Sequence, residues 1–291
     1  MIEPVSIGVI GGSGLYRMPE ISDKVTHVIP TPFGNPSSEI VVGTLRGRRV
    51  AFLARHGVGH VYTPSTVPYR ANIYALKMLG VKYIIAANAC GSLREDYAPG
   101  HMAIPDQLFD YTTGLRARSF FDTGMVAHIS VADPFCRELG DLLYKSVIKV
   151  GGTVHKGGTF LIEEGPRFAS KAESHIFRQW GCSLIGMTTA PEAFLAREAE
   201  IAYATIAHIT DYDSWHMSEK PVTVDKVIAT MSHNVEIVQM ALAAAVESLN
   251  PEAECDCHHA LENALLTDRK AVPQTMLERL KPIIGRYFGE G

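Results

Sequence analysis

Residues able to bind an anion or move a proton recur in this sequence where apolar runs end. Arg55, His56 and His60 follow the apolar run 50–53, and Asn88-Ala89-Cys90-Gly91-Ser92 follows the run 82–87. The planar fork of an arginine suits bidentate contact with phosphate, and histidines beside it bind an anion or face solvent. His56 and His60 stand four apart, as metal ligands on a helix would, but Gly57 and Gly59 argue against a helix there. Gly11-Gly12-Ser13-Gly14 is a turn whose backbone N–H groups, with the Ser13 hydroxyl, could converge on an anion. A tight turn needing positive φ explains the same glycines. Neither a Walker loop nor a complete G-x-G-x-x-G is present.

Two carboxylate pairs could do acid–base or recognition work. Glu163 and Glu164 are neighbours in a strand, so at most one should face a crevice. Asp211 and Asp213 are two apart and share a face if the strand continues. Purine or sugar recognition, a Mg²⁺ site and a solvated turn all fit that second pair. Cys255 and Cys257 form a C-x-C pair followed by His258 and His259. Metal binding, redox or disulfide chemistry, and an exposed tail pair are its three readings, and a C-x-C alone cannot close a zinc site. No metal site is expected, and Cys90, Cys136 and Cys182 read as packed thiols.

The elements that position these residues follow from periodicity. Strands are predicted at 6–10, 39–45, 48–54, 82–87, 102–104, 157–162, 183–186 and 201–209, and helices at 69–79, 134–150, 171–180, 191–200 and 224–249. Residues 116–127 read as a long irregular loop, of the kind that forms lids or interfaces. The tail adds helical candidates at 260–266 and 273–287. Polar strand ends facing one crevice are the expectation for an open α/β sheet. The predicted fold is a single α/β domain, a twisted mixed central sheet flanked by helices, over 1–250, with 251–291 a helical C-terminal extension packed on it.

At 291 residues, 46% hydrophobic and 20% charged, the chain has ample core for such a domain. A net charge of −4 gives no electrostatic case for nucleic acid. No apolar run approaches the ~18 residues of a membrane helix. The first residues carry no basic segment before the apolar run, so a cytoplasmic location is expected.

Taken in order, GVIGGSGL at 8–15, TPFG at 31–34, ARHG at 54–57, NACGSLRE at 88–95, EGPRF at 164–168, MTTAPE at 187–192 and TDYD at 210–213 resemble the nucleoside phosphorylase family of the trimeric type. The resemblance implies phosphate binding by Ser13, Arg55, His56, Asn88, the Ala89 backbone and Thr188. It implies that Met187 packs on the ribose, that Phe168 stacks near base or sugar, and that Asp211 and Asp213 face the purine, with Asp211 the acid at N7 and Asp213 its support. His128 would reach a neighbouring subunit's substrate, and Val224 would line the 5' pocket, where an apolar residue suits a methylthio group. Ala169 sits at a specificity position. The implied activity is reversible phosphorolysis of S-methyl-5'-thioadenosine, with inorganic phosphate as co-substrate and no cofactor, by a trimer or dimer of trimers. A purine nucleoside or methylthioinosine phosphorylase is the enzymatic alternative. A nucleoside- or phosphate-binding regulatory module is the non-enzymatic one. The tail with CDCHH resembles that of microbial members, and its share in the 5' pocket is open.

Overall fold

The computed structural model describes the chain except residues 1, 2, 13, 14, 16, 17, 217–223, 290 and 291; side chains of 224–233 are likewise outside the description. Ser13 and the side chain of Val224 therefore lie outside the described residues. Within them the order is β1 (Ile7–Gly11), β2 (Ser22–His27), β3 (Ile40–Leu45), β4 (Arg48–Ala54), α1 (Tyr69–Met78), β5 (Tyr83–Ser92), β6 (Met102–Ile104), β7 (Gln107–Tyr111), α2 (Arg137–Lys149), β8 (Val154–Lys156), β9 (Thr159–Glu163), α3 (Lys171–Gln179), β10 (Cys182–Gly186), α4 (Thr189–Glu198), β11 (Ala202–Asp211), α5 (Val224–Ser248), α6 (Gln274–Arg279) and α7 (Lys281–Ile284).

All eleven strands join one mixed sheet, with β5 as its hub. The first half of β5 runs parallel to β1, with Val9 opposite Ile85. Its far end pairs antiparallel with β10, with Gly91 opposite Ile185, and β11 follows it in parallel from Tyr83 to Gly91. Since β4 is also parallel to β1, the segment β4–α1–β5 is a parallel unit with β1 inserted between its strands. Strands buried on both faces read as continuous apolar runs, and β1 and β11 are buried throughout. The carboxyl ends of β1, β4, β5 and β11 consequently point the same way, toward one crevice.

Helices cover both faces. α1, α4 and the tail pack on one cluster around Ile10, Leu53 and Ile84; α2 and α5 pack on the other around Val9, Ile85 and Ile206. On α5, Val238 and Leu242 are buried as predicted, Val235 is half-buried, and the side chains of Val227 and Met231 lie outside the described residues. α3 starts with a capping box, in which the Glu173 N–H donates to the Ser170 hydroxyl and the Glu173 carboxylate accepts from the Ser170 N–H. α1 is buried almost all round: α4 and α7 pack on it, and the Tyr74 hydroxyl donates to the carbonyl of Arg279, at the end of α6, at 2.6 Å.

Three strands escape the periodicity reading. β2 (SDKVTH) is polar and solvent-facing at one edge, β7 is half-exposed at the other, and β8 has three residues. The tail also differs from the prediction. Residues 260–266 are not helical, because their backbone is engaged elsewhere. The His128 N–H donates to Ala264 and the Leu266 N–H donates to Val126, at 2.9 and 3.0 Å. The stretch 273–287 breaks at Leu280 into α6, α7 and a 3-10 turn. Pro282 stands at the start of α7, where its missing N–H costs nothing.

Candidate active site

The strand ends enclose a cavity of about 540 Å³, a volume suited to a small organic ligand. Its wall carries Arg55 and His56 after β4, Asn88 and Ala89 from β5, Phe168 after β9, Met187 and Thr188 after β10, and Asp211 and Asp213 at the end of β11. These residues come from five stretches spread over about 160 positions; parallel register aligns the ends of β4, β5 and β11, and the antiparallel pairing of β10 with the far end of β5 brings the β9 and β10 residues to the same place. A shallower depression of about 620 Å³ near Arg94, Glu95, Asp96 and Arg178 has a different character. Arg94 there is spent on Asp96, with two contacts of 2.7–2.8 Å at the surface.

The anion end is built around Asn88. Its Nδ2 donates to the Thr188 Oγ1 at 2.9 Å, and its Oδ1 accepts from the Thr205 hydroxyl at 2.7 Å. Since the Thr188 oxygen already accepts from Asn88, its proton is left to donate into the cavity. Arg55 lies in the same wall, but its fork closes on Glu192: Nε and Nη2 each donate to one carboxylate oxygen at 2.7 Å. Nη1 also donates to the Ala87 carbonyl at 3.0 Å. Burial opposes the charge on Arg55, but Glu192 keeps it protonated. The bidentate phosphate fork expected from sequence is thus occupied by a carboxylate. A ligand meets a neutralised pair in which one Nη1 hydrogen is unassigned.

His56 adds a second polar group. Its Nδ1 lies 2.9 Å from the Tyr62 carbonyl, which fixes the proton on Nδ1 and leaves Nε2 an acceptor in the neutral ring. Burial, reinforced by the charge of Arg55, lowers its pKa to about 4. The His60 ring stacks on it with centroids 4.2 Å apart, both on a loop, as the glycines predict.

The base end holds the carboxyls. Asp211 accepts from the Thr210 hydroxyl on Oδ2 at 2.7 Å and from the Asp213 N–H on Oδ1 at 2.8 Å. Asp213 is raised to about 6 by burial; the nearby Ser174 hydroxyl tempers the rise and the charge of Asp211 adds to it. Its Oδ2 is buried and makes no hydrogen bond of acceptable geometry among the described residues. Both aspartates sit over Gly91, where an added Cβ would stand 3.2 Å from each. Glu163 joins them on the wall, and burial, with Asp213 close by, lifts it to about 8. Glu164 points the other way, as alternation requires. It pairs with Arg116 at 3.0 Å, and bonds from Ser65, Thr113 and Arg116 overcome its desolvation and take it down to about 2.

Three residues at or beside the site have no role assigned by the sequence, although Glu192 ends the MTTAPE motif. Glu192 closes on Arg55 from the first turn of α4. Arg116, from the irregular loop, is buried and donates to the carbonyls of Met187 and Ala190 at 2.6 and 2.8 Å, so the loop locks the site from outside. His208 is fully buried with Nδ1 unpartnered among the described residues. Gly165 also matters: at φ +65° an added Cβ would lie 2.6 Å from the Met187 sulfur.

Two predicted residues are not on the cavity wall. Ala169 is buried against Leu161, Phe177 and Trp215. His128 is exposed, anchored through its N–H to Ala264.

The phosphorylase superfamily model matches residues 6–247. The S-methyl-5'-thioadenosine phosphorylase of Chloroflexus aurantiacus is 52% identical over 283 residues, covering 97% of this chain and 98% of its own. That of Geobacter sulfurreducens is 51% identical with the same coverage. A crystal structure of a methylthioadenosine phosphorylase from an antarctic soil metagenomic library superposes with a TM-score of 0.92 at 46% identity, over 97% of this chain and 99% of that one. The Schistosoma mansoni methylthioadenosine phosphorylase in complex with tubercidin superposes with a TM-score of 0.77 at 37% identity, over 83% and 90%.

Proposed function

The chain belongs to the phosphorylase superfamily, and from that premise we propose that it is an enzyme that transfers a pentosyl group from S-methyl-5'-thioadenosine to phosphate. The products are adenine and S-methyl-5-thio-α-D-ribose 1-phosphate, as methionine and purine salvage require. The observation that carries this is the single cavity that gathers Arg55, His56, Asn88, Thr188, Met187, Asp211 and Asp213 in a chain half identical to such enzymes.

In this reading phosphate is held by Thr188, Arg55, His56, the Ala89 backbone and Ser13. Neutral His56 accepts a hydrogen bond on Nε2 from the phosphate's own P–OH, which turns the charged oxygens toward the sugar. The N9–C1' bond breaks as positive charge builds on the ribose, and the bound dianion stabilises that charge electrostatically. A phosphate oxygen then bonds to C1', and the electron pair leaves with adenine. No covalent protein nucleophile and no cofactor enter.

The departing base takes a proton at N7. Asp211 and Asp213 act as one unit, and burial, which raises Asp213 to about 6, keeps a proton available to it at mildly acidic pH. Asp211 is locked as an acceptor by Thr210 and the Asp213 N–H, while Asp213 carries the open oxygen. Met187 packs on the ribose, Phe168 closes the mouth, and Val224 lines the 5' end. His128 serves a neighbouring subunit, which requires a trimer or a dimer of trimers in the cytoplasm.

The test is incubation of the protein with S-methyl-5'-thioadenosine, with and without phosphate, and chromatographic identification of products. Free adenine and a sugar phosphate should form only with phosphate. Binding without base release would leave a regulatory module, and faster turnover of inosine would favour the oxopurine alternative.

A further inference from the structure

The cysteine pair that could not close a metal site alone has a third partner 119 positions away. Cys136, the residue preceding α2, is buried, and its sulfur lies 3.9 Å from that of Cys255. Cys257 completes the group, and all three sulfurs lie within 4.8 Å of one another. Metal–sulfur bonds of about 2.3 Å in a tetrahedron give sulfur–sulfur edges of roughly 3.8 Å. We propose that Cys136, Cys255 and Cys257 bind one thiophilic metal ion, zinc(II) or copper(I), in a site separate from the catalytic cavity.

The surroundings favour thiolates over thiols. The Arg197 Nη1, at the end of α4, donates to the Cys257 sulfur at 2.9 Å. The same guanidinium is fixed by the carbonyls of Ser130 and Asp133, so it is built to stay there. A fixed cation thus faces a set of ligands that must lose protons to coordinate. The three sulfurs leave zinc a fourth position for water, as open tetrahedral sites do. Three thiolates alone satisfy copper(I). On binding, three thiol protons pass to solvent, three metal–sulfur bonds form, and the ion keeps its oxidation state.

An ion there would staple the tail to the core. Cys136 immediately precedes the sheet-covering helix α2, whereas Cys255 and Cys257 begin the tail that runs on to Ala264 and Leu266. Those residues hold the backbone of 126–128. Metal binding therefore fixes the segment carrying His128 without touching the cavity.

The experiment starts from reduced, chelator-treated full-length protein, loaded anaerobically with zinc(II) or copper(I) and desalted. Metal content should be roughly one ion per chain, and hydrogen exchange at 126–128 and 255–266 should slow on loading. Cobalt(II) in place of zinc should give thiolate-to-metal charge-transfer absorption in the unmutated chain, a readout independent of whether variants fold. Cys255→Ser and Cys257→Ser should weaken binding by more than the roughly 10–100-fold typical of losing an outer-shell partner, while Cys182→Ser should not. Which ion binds tighter distinguishes the zinc from the copper form. The proposal is overturned if reduced protein takes up no ion and shows no charge-transfer band, or if Cys255→Ser and Cys257→Ser fold and retain full binding.

Discussion

Replacing Glu192 with Gln probes the pair at the centre of the anion site. Arg55 and Glu192 are 2% and 0% exposed and joined by two bonds of 2.7 Å, and the Tyr203 hydroxyl donates to the same carboxylate at 2.7 Å. Both carboxylate oxygens accept, so the amide of Gln must turn its NH₂ toward a donor. The variant then carries a buried guanidinium with one unsatisfied side and no counter-charge. Breaking one partner of a buried ion pair costs about 3–5 kcal/mol. At ~2–4 °C per kcal/mol for a chain of this size, the thermal midpoint should fall on the order of 10 °C. Phosphate supplies the missing negative charge, and a ligand at ~100 times its Kd adds about 2.7 kcal/mol. Thermal unfolding in a phosphate-free buffer and again in saturating phosphate should therefore show a larger phosphate-induced rise in Glu192→Gln than in the parent. A variant that melts within about 2 °C of the parent without phosphate, or that phosphate stabilises no more than the parent, would refute the idea that this pair faces the anion.

Three further outcomes follow from the carboxyl cluster. Asp211→Asn should lower kcat on S-methyl-5'-thioadenosine by about 10²–10⁴-fold, the usual range for general acid catalysis, and shift relative preference toward hypoxanthine nucleosides. Steady-state rates on both substrates check this, and a loss of only about twofold with unchanged preference counts against the role. Since Asp213 is raised to about 6, kcat/KM should decline as pH rises above that value, and Asp213→Asn should remove that limb from the profile. Glu163 has its pKa raised in the folded protein from 4.5 to about 8. Its contribution to stability is full below pH 4.5 and lost as pH rises to about 8. Glu163→Gln mimics the protonated form. Its unfolding free energy should match the parent near pH 4.5 and exceed it at pH 8.5 by on the order of 2–3 kcal/mol, discounted for the open cavity wall. A difference independent of pH would contradict the assignment.

Much of the cavity was legible because its residues sit at strand ends, where apolar runs stop and polar motifs begin. ARHG after β4, NACGS in β5 and TDYD, which runs out of the end of β11, all follow that rule, and the shared direction of these strands makes local signals converge. What stayed hidden depends on contacts between distant segments. Glu192 reads as an ordinary first-turn acid of α4, and only packing brings it onto Arg55. Arg116 lies in a loop without periodicity, yet it is buried beneath Met187. β2 is invisible to periodicity because an exposed edge strand carries no apolar alternation, and 260–266 reads as helix from its composition while its backbone is claimed by 126–128. Cys136 reads as a packed thiol until the tail folds back on it.

The most direct test of the central claim is a crystal structure with adenine and sulfate bound together. Sulfate should lie within hydrogen-bonding distance of the Thr188 hydroxyl and Arg55, with the N7 edge of adenine against Asp211 and Asp213 and room for a ribose between them over Met187. Sulfate seated instead in the shallow depression at Arg94 and Arg178, or adenine turning its N7 edge away from both aspartates, would contradict it.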